Sequence, residues 1–290
     1  MALKFNLLIV QPEDYVNYAP FLGVARSMCF ALRRLGHDVR VAGNEFLRDA
    51  TNMIFGAHHL AADLATDLPA DTIVYNTEQL RPGGAVVESL RPFVSRFTTW
   101  ETDFGNVEAW RSAGLGSRVH YVQPGYVPES STIDVTTPTD IDVLFFGKVN
   151  PRRMVVLDSV TRAGIRLHVA DGVYLADRDA LVARAKIVLN VHAADDSALE
   201  MARVAYTLAN RRALVTELGR AARLDTDLRD GVLAGPASVL ADLCQALLAD
   251  DRRRLALAEL GFQAFSRRDL VATVREALGQ LGRGWGAPPA

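Results

Sequence analysis

The sequence predicts an α/β protein made of two Rossmann-like, doubly wound domains facing a cleft. Short apolar runs alternate with stretches of helical apolar spacing along almost the whole chain, the pattern of parallel sheets covered on both faces. A proline-bearing, Ser/Thr-rich stretch over 123–139 cuts that alternation in two. The 290 residues suit two compact domains better than one enlarged one. Open α/β sheets take ligands outside the carboxyl ends of their strands, so a ligand is expected in the cleft.

The first strand is expected over 3–10, where Leu7-Leu8-Ile9-Val10 halts at Gln11-Pro12. A helix over 21–35 ends at Gly36, since glycine readily closes a helix in the left-handed conformation. Further strands are expected over 39–43, 71–76, 96–100 and 118–122, with helices over 83–90 and 104–113 between them. Beyond the proline-bearing stretch the logic repeats, with strands over 141–146, 165–170, 186–191 and 213–216 and a short one around Val232-Leu233. Helices are expected over 151–163, 177–185, 198–209, 237–249, 252–260 and 267–281. The chain thus divides into a first domain over 1–125, a linker over 126–140, a second domain over 141–262, a C-terminal helical segment over 263–281 and a Gly/Pro-rich disordered tail over 282–290.

With 49% hydrophobic and 23% charged residues, the chain can fill sizeable cores and stay soluble. The net charge of −2, with arginines interleaved among Asp and Glu, points away from nucleic acid and from acidic membranes. No apolar run approaches the ~20 residues that span a bilayer, so no integral membrane segment is expected. Nothing marks export, and a cytoplasmic location is the expectation. Cys29 and Cys244 lie far apart in helical contexts and read as small buried thiols. His58 and His59 read as loop or helix-surface residues without partners at metal-ligand spacing, and no metal is expected. Oligomeric state is not legible, since the apolar Met28-Cys29-Phe30 suits a core and an interface alike.

The stretch from Ile141 to Glu217 carries the chemistry. An apolar strand ends at Phe146 and is followed at once by Gly147, Lys148, Asn150, Arg152 and Arg153 at the mouth of a helix. Glycine lets an anion approach the backbone, helix N-terminal N–H groups face it, and guanidiniums grip phosphate oxygens bidentately. A merely solubilising basic turn is the rival reading. Adjacent helical residues diverge by about 100°, so one arginine is expected to face the ligand and the other solvent. Ser197 and Glu200 match a capping box, in which each side chain satisfies an orphan N–H at the helix start. The first half has no G-x-G-x-x-G after its first strand, which argues against a nicotinamide-binding domain.

The order of these pieces resembles the GT-B fold of nucleotide-sugar glycosyltransferases, in particular bacterial members of the family 1/4 type. The residues that carry the resemblance are the turn from Gly147 through Asn150 to Arg152-Arg153, then Asp171-Gly172-Val173-Tyr174, then Lys186-Ile187-Val188-Leu189-Asn190-Val191-His192, and then Leu208-Ala209-Asn210. The resemblance implies that the second domain holds a nucleotide-sugar and the first an acceptor, which is a glycan, a lipid-linked saccharide, a protein or a small molecule. It implies metal-independent sugar transfer with no cofactor beyond the co-substrate, and a last helix that crosses back onto the first domain. Tyr174, Asn190 and His192 would then lie at the donor, although His192 equally suits a satisfied core histidine. Glu200 and Arg203 would contact ribose and phosphate, or form a plain surface pair one turn apart. Glu13 and Asp14 after the first strand, and Glu78 after the third, are rival candidates for the general base toward an acceptor hydroxyl. Asp103 reads instead as a charge at a helix start.

The chain departs from the family at one place. The two positions of the Glu-x7-Glu element of many retaining relatives fall on Ser197 and Ala205. That departure favours an alternative reading as a non-catalytic GT-B-like assembly or regulatory protein, whereas Asn190, His192 and the arginine pair favour an enzyme. A GT-B-type epimerase or phosphorylase is a further alternative.

Overall fold

The computed structural model describes residues 2–12, 19–81, 83–195, 197, 199–219 and 222–281. They form two compact units, one comprising the chain up to Val127 together with the residues from Asp269, the other Pro128–Arg268.

The first unit is built on six parallel strands: β1 (Lys4–Ile9), β2 (Asp38–Gly43), β3 (Thr51–Phe55), β4 (Ile73–Asn76), β5 (Thr98–Glu101) and β6 (Val119–Tyr121), in the order β2-β1-β3-β4-β5-β6. Period-two alternation divides β1 between two cores. Phe5, Leu7 and Ile9 face the core of α1 (Ala19–Arg34), while Leu8 and Val10 face the core of α2 (Ala85–Val94) and α3 (Phe104–Ser112), which holds Phe93 and Trp110.

Strand β3 is absent from the sequence reading, which expected five strands here. Its polar start, Thr51-Asn52, hides a fully buried central strand. Asn52 is tolerated there because its Oδ1 accepts from Asn6 Nδ2 at 2.9 Å and from the Leu47 N–H at 2.9 Å, while its Nδ2 donates to the Leu47 carbonyl at 2.7 Å. Met53, Ile54 and Phe55 then bury completely, each contributing roughly 1.5–3 kcal/mol of transfer free energy.

The second unit has five parallel strands, β7 (Ile141–Phe146), β8 (Leu167–Ala170), β9 (Ala185–Asn190), β10 (Ala213–Glu217) and β11 (Leu233–Gly235), in the order β11-β10-β9-β7-β8. Helices α4 (Pro151–Arg162), α5 (Leu175–Arg184), α6 (Met201–Ala209), α7 (Leu240–Leu248) and α8 (Asp251–Ser266) complete it. Part of the proline-bearing stretch packs within this unit. Asn210 Oδ1 accepts from the Thr132 and Ile133 N–H groups at 2.7 and 3.1 Å, and Ser131 Oγ donates to the Ala209 carbonyl at 2.7 Å.

A last helix, α9 (Leu270–Gly279), returns to the first unit, burying Leu270, Val274, Ala277 and Leu278 in the core that holds Met28 and Leu32. The segment expected to be helical over 263–281 is therefore two helices. The division comes where Asp269 caps α9 by accepting from the Val271 and Ala272 N–H groups at 2.8 and 3.1 Å. Cys29 and Cys244 are buried free thiols, and among the described residues no helix is long and apolar enough to cross a membrane. The expected tail over 282–290 lies outside the described residues.

Candidate functional site

In the second unit the chain runs from β7 outward to β8 on one side and to β9 on the other, so the strand order reverses between β7 and β9. Ligands of open α/β sheets bind at such a switch point, outside the carboxyl ends of the strands. The two segments leaving it carry Gly147, Lys148 and Asn150 on one side and His192, Ser197 and Glu200 on the other, all singled out by the sequence.

Gly147 has φ +125°, and a Cβ there would come within 2.5 Å of Arg203 Nη2, so only glycine fits. Lys148 is exposed, and its ammonium has no partner among the described residues. Asn150 caps α4: its Oδ1 accepts from the Arg153 N–H at 2.8 Å, Pro151 follows at the first helical position, and its Nδ2 donates to the Ala193 carbonyl at 2.8 Å. The turn after β7 and the loop after β9 are thereby joined.

Three arginines, the buried Glu217 and the half-buried Glu200 interlock beneath this turn. Arg152 donates from Nη1 to the His192 carbonyl at 2.8 Å and to Glu217 Oε2 at 2.9 Å, from Nη2 to Glu217 Oε1, and from Nε to the exposed Asp195 at 2.6 Å. Arg153 donates to the Val191 and Lys148 carbonyls at 2.9 and 2.7 Å and to Glu200 Oε1. Arg203 donates from Nε to the Phe146 carbonyl at 3.0 Å and from Nη1 to Glu200 Oε2 at 2.6 Å and to Asn190 Oδ1. Its Nη2 lies under Gly147 without an acceptor among the described residues. Asn190 in turn donates to Thr216 Oγ1 at 2.9 Å.

Burial alone would raise the Glu200 carboxyl, but the Arg203 and Arg153 guanidiniums outweigh it and hold the group below its ordinary value. Hydrogen bonding to Glu217 raises Arg152 further above the usual guanidinium range, whereas burial lowers Arg153.

These contacts correct two expectations. Neither Arg152 nor Arg153 points to solvent, because the start of α4 abuts the ends of β9 and β10 and both side chains find carbonyls and carboxylates there. Nor do Ser197 and Glu200 form a capping box. Helix α6 begins at Met201 with no side-chain cap at Glu200, since that carboxylate is held by two guanidiniums. Ser197 closes a turn instead, its Oγ accepting from the Ala194 N–H at 3.2 Å. The Glu200–Arg203 pair exists one turn apart, but it is buried rather than superficial.

His192 is 0% exposed, and neither ring nitrogen has a hydrogen-bond partner among the described residues. Burial lowers its pKa while Glu217 and Glu200 push it back, leaving a neutral imidazole at neutral pH. Its own N–H donates to Glu217 Oε2 at 2.9 Å. Tyr174 is half-buried before α5. Its phenol is raised by burial and by Asp171, with Arg203 opposing, which places it in the electrostatic reach of that guanidinium.

In the first unit, Glu13 and Asp14 lie outside the described residues. Glu78 is half-buried with its backbone clamped at both ends. Its N–H donates to Asn76 Oδ1 at 3.1 Å, and its carbonyl accepts from Asn76 and Asn106 Nδ2 at 3.1 and 2.8 Å. Both amides are anchored on Glu101, which is 0% exposed and also accepts from Trp110 Nε1 at 2.7 Å. Burial pushes the Glu101 carboxyl up to about 7 against the pull of these donors. Asp103 caps α3 as expected, accepting from the Asn106 N–H at 3.2 Å. His58 and His59 follow β3 with ring centroids 3.9 Å apart, and burial, then His59, lowers His58 to about 4. Among the described residues no group of three or more His, Cys, Asp or Glu stands close enough to hold a metal ion.

The sequence reading missed Glu217 and Glu101 as site-forming groups. Each is an acidic residue ending an otherwise buried strand, the same signal that singled out Asn190.

No protein-family model and no curated protein matches the chain. Solved structures do. The chain is similar to Anabaena HepE in complex with UDP and glucose, at 12% identity over 96% of this chain and 99% of that one, with a TM-score of 0.64. It is similar to AviGT4, a glycosyltransferase of avilamycin A biosynthesis, at 14% identity over 98% and 99% of the two chains with a TM-score of 0.60. WaaG, a glycosyltransferase of lipopolysaccharide biosynthesis, matches at 12% identity over 97% and 100% with a TM-score of 0.59. Two parallel α/β sheets and a returning C-terminal helix, superposable on these proteins over nearly their full length, give this chain the GT-B fold.

Proposed function

We propose that the protein is a glycosyltransferase that holds a nucleotide-sugar on its second unit and an acceptor on its first. The observation that carries this reading is the switch-point turn. A Lys148 ammonium, a glycine at positive φ and the start of α4 stand together over an Arg203 nitrogen, and neither the ammonium nor that nitrogen has an acceptor among the described residues. A diphosphate supplies the oxygens that such donors lack. Charge developing on the departing diphosphate would be met by groups already fixed in place. In this reading Lys148 and Arg203 face the phosphates, with Gly147 admitting them. Arg152, Arg153, Asn190, Glu200 and Ser197 hold the loops in register, and His192 and Tyr174 border the sugar or nucleoside.

HepE is solved with UDP and glucose, with UDP and with UDP-glucose, so a UDP-sugar is the first donor to test. As the C1–O bond to the diphosphate breaks, the bonding pair leaves with the nucleotide and a bond forms from C1 to the acceptor oxygen. The acceptor proton passes to a base, for which Glu78, Glu13 and Asp14 are the candidates. Because the cationic side chains supply the charge a diphosphate needs, the reading includes no metal or other cofactor. It also places the protein in the cytoplasm.

A thermal-shift panel of UDP-, GDP-, ADP- and dTDP-sugars, followed by assay of slow donor hydrolysis, tests it. A stabilising nucleotide-sugar that is hydrolysed is the expected result. No stabilisation by any of them sinks the reading in favour of a non-catalytic binding protein, and turnover of the donor into an epimer points to an epimerase.

A further inference from the structure

At the carboxyl end of the first unit's sheet, a cavity of about 240 Å³ opens beside the edge strand. One wall is Tyr121, the last residue of β6, with Gln123 just beyond it. The other is a single face of α9, where Thr273, Glu276 and Gln280 recur at helical spacing. Phe104, at the start of α3, stands edge-on to Tyr121, with ring centroids 5.9 Å apart and planes at 88°. The two rings are 52% and 38% exposed. The side chains of Gln123, Glu276 and Gln280 hydrogen-bond to no other described residue.

The chemistry selects a class of ligand. Among the described residues no basic group lines the cavity, so a phosphate or other anion finds no counter-charge from them. Two uncharged amides, the Thr273 hydroxyl and one carboxylate beside the partly exposed Tyr121 ring suit a neutral polyol with an apolar C–H face. A pyranose has both: ring hydroxyls for the amides and carboxylate, and axial C–H groups for the aromatic surface. The volume lies below the roughly 300–1,000 Å³ of sites for drug-sized ligands, which fits one sugar ring rather than an extended chain.

We propose that this cavity is a pyranose subsite that binds one residue of a saccharide acceptor. The saccharide assignment stands on the cavity, and its being an acceptor rests on the transferase reading above. The subsite lies wholly within the first unit and shares no residue with the switch-point site.

Saturation-transfer NMR on the full chain with maltose, cellobiose, lactose and N,N′-diacetylchitobiose tests it, alongside Tyr121→Ala, Tyr121→Trp and Gln280→Ala. Nucleotide binding is measured in parallel by thermal shift. We expect transfer to the ring C–H protons of at least one disaccharide. Affinity should fall about tenfold or more in Tyr121→Ala and Gln280→Ala, be kept in Tyr121→Trp, and nucleotide binding should be unchanged in all three. No transfer to any of the four sugars overturns the subsite, and so does transfer that survives both alanine variants. Tyr121→Ala is judged only if its melting temperature matches the parent. Gln280→Ala, at the exposed end of α9, decides otherwise. Loss of nucleotide binding in the parent protein counts against the transferase reading and leaves the sugar result to stand by itself.

Discussion

Arg152 and Glu217 hold the switch-point site together: the guanidinium meets both carboxylate oxygens, and the same carboxylate accepts the His192 N–H at 2.9 Å. Glu217 is nearly fully buried at the end of β10, while Arg152 retains a fifth of its side-chain exposure. Removing the carboxylate strands a guanidinium and a backbone N–H together. Glu217→Ala should cost about 3 kcal/mol of stability in urea denaturation. Replacing both residues, as Arg152→Met with Glu217→Leu, should recover part of that loss, because an apolar pair strands no charge. A single variant as stable as the parent would show that the pair is not formed.

Lys148 offers the opposite case, an exposed cation with nothing to lose in the fold. Lys148→Ala should leave stability within about 0.5 kcal/mol of the parent. A charge-assisted hydrogen bond is worth roughly 1.5–3 kcal/mol, so nucleoside diphosphate binding should weaken about tenfold to a hundredfold. Calorimetric titration reads this directly, and unchanged affinity would move the phosphate site elsewhere.

His192 is buried with neither ring nitrogen satisfied by a described residue, a state that costs about 1–3 kcal/mol. His192→Phe, of similar size, should therefore leave stability unchanged or raised by about 1 kcal/mol. Donor binding or hydrolysis should nevertheless fall about tenfold if the ring meets the ligand. A variant that is less stable yet fully active would mark His192 as a core residue.

Glu101 carries a pH signature. Burial raises its carboxyl from the ordinary 4.5 to about 7, so between those values the folded state holds a proton that the unfolded state has released. The stability it contributes is fully present below pH 4.5 and is lost as pH rises through about 7, amounting to roughly 3 kcal/mol over the interval. Denaturation midpoints from pH 4 to 8 should fall across this window in the parent and flatten in Glu101→Gln. The variant should also be less stable at low pH, since its amide would point donors at donors. Parallel profiles would place the ionisation elsewhere.

Local signals carried most of the architecture. Gly36 ending a helix, the apolar run before Phe146 and the Asn150-Pro151 helix start are readable because backbone conformation and strand burial depend on residue type at short range. The turn at Gly147 and the strand-end Asn190 were legible in the same way. Strand β3 was not, because Thr51-Asn52 looks polar until Asn6 and Leu47 satisfy Asn52 from elsewhere in the chain.

What the amino-acid order determined unaided was the alternation of strands and helices and the position of a basic turn at a strand's carboxyl end, both set by periodicity and by glycine. Tertiary structure alone decided which partner each charged group took. Arg152 turns to Glu217, Arg153 and Arg203 share Glu200, and Ser197 closes a turn instead of capping a helix. Those choices depend on which carbonyls and carboxylates the fold brings within about 3 Å of a guanidinium, since a buried charge must be matched and the match comes from residues distant in the chain.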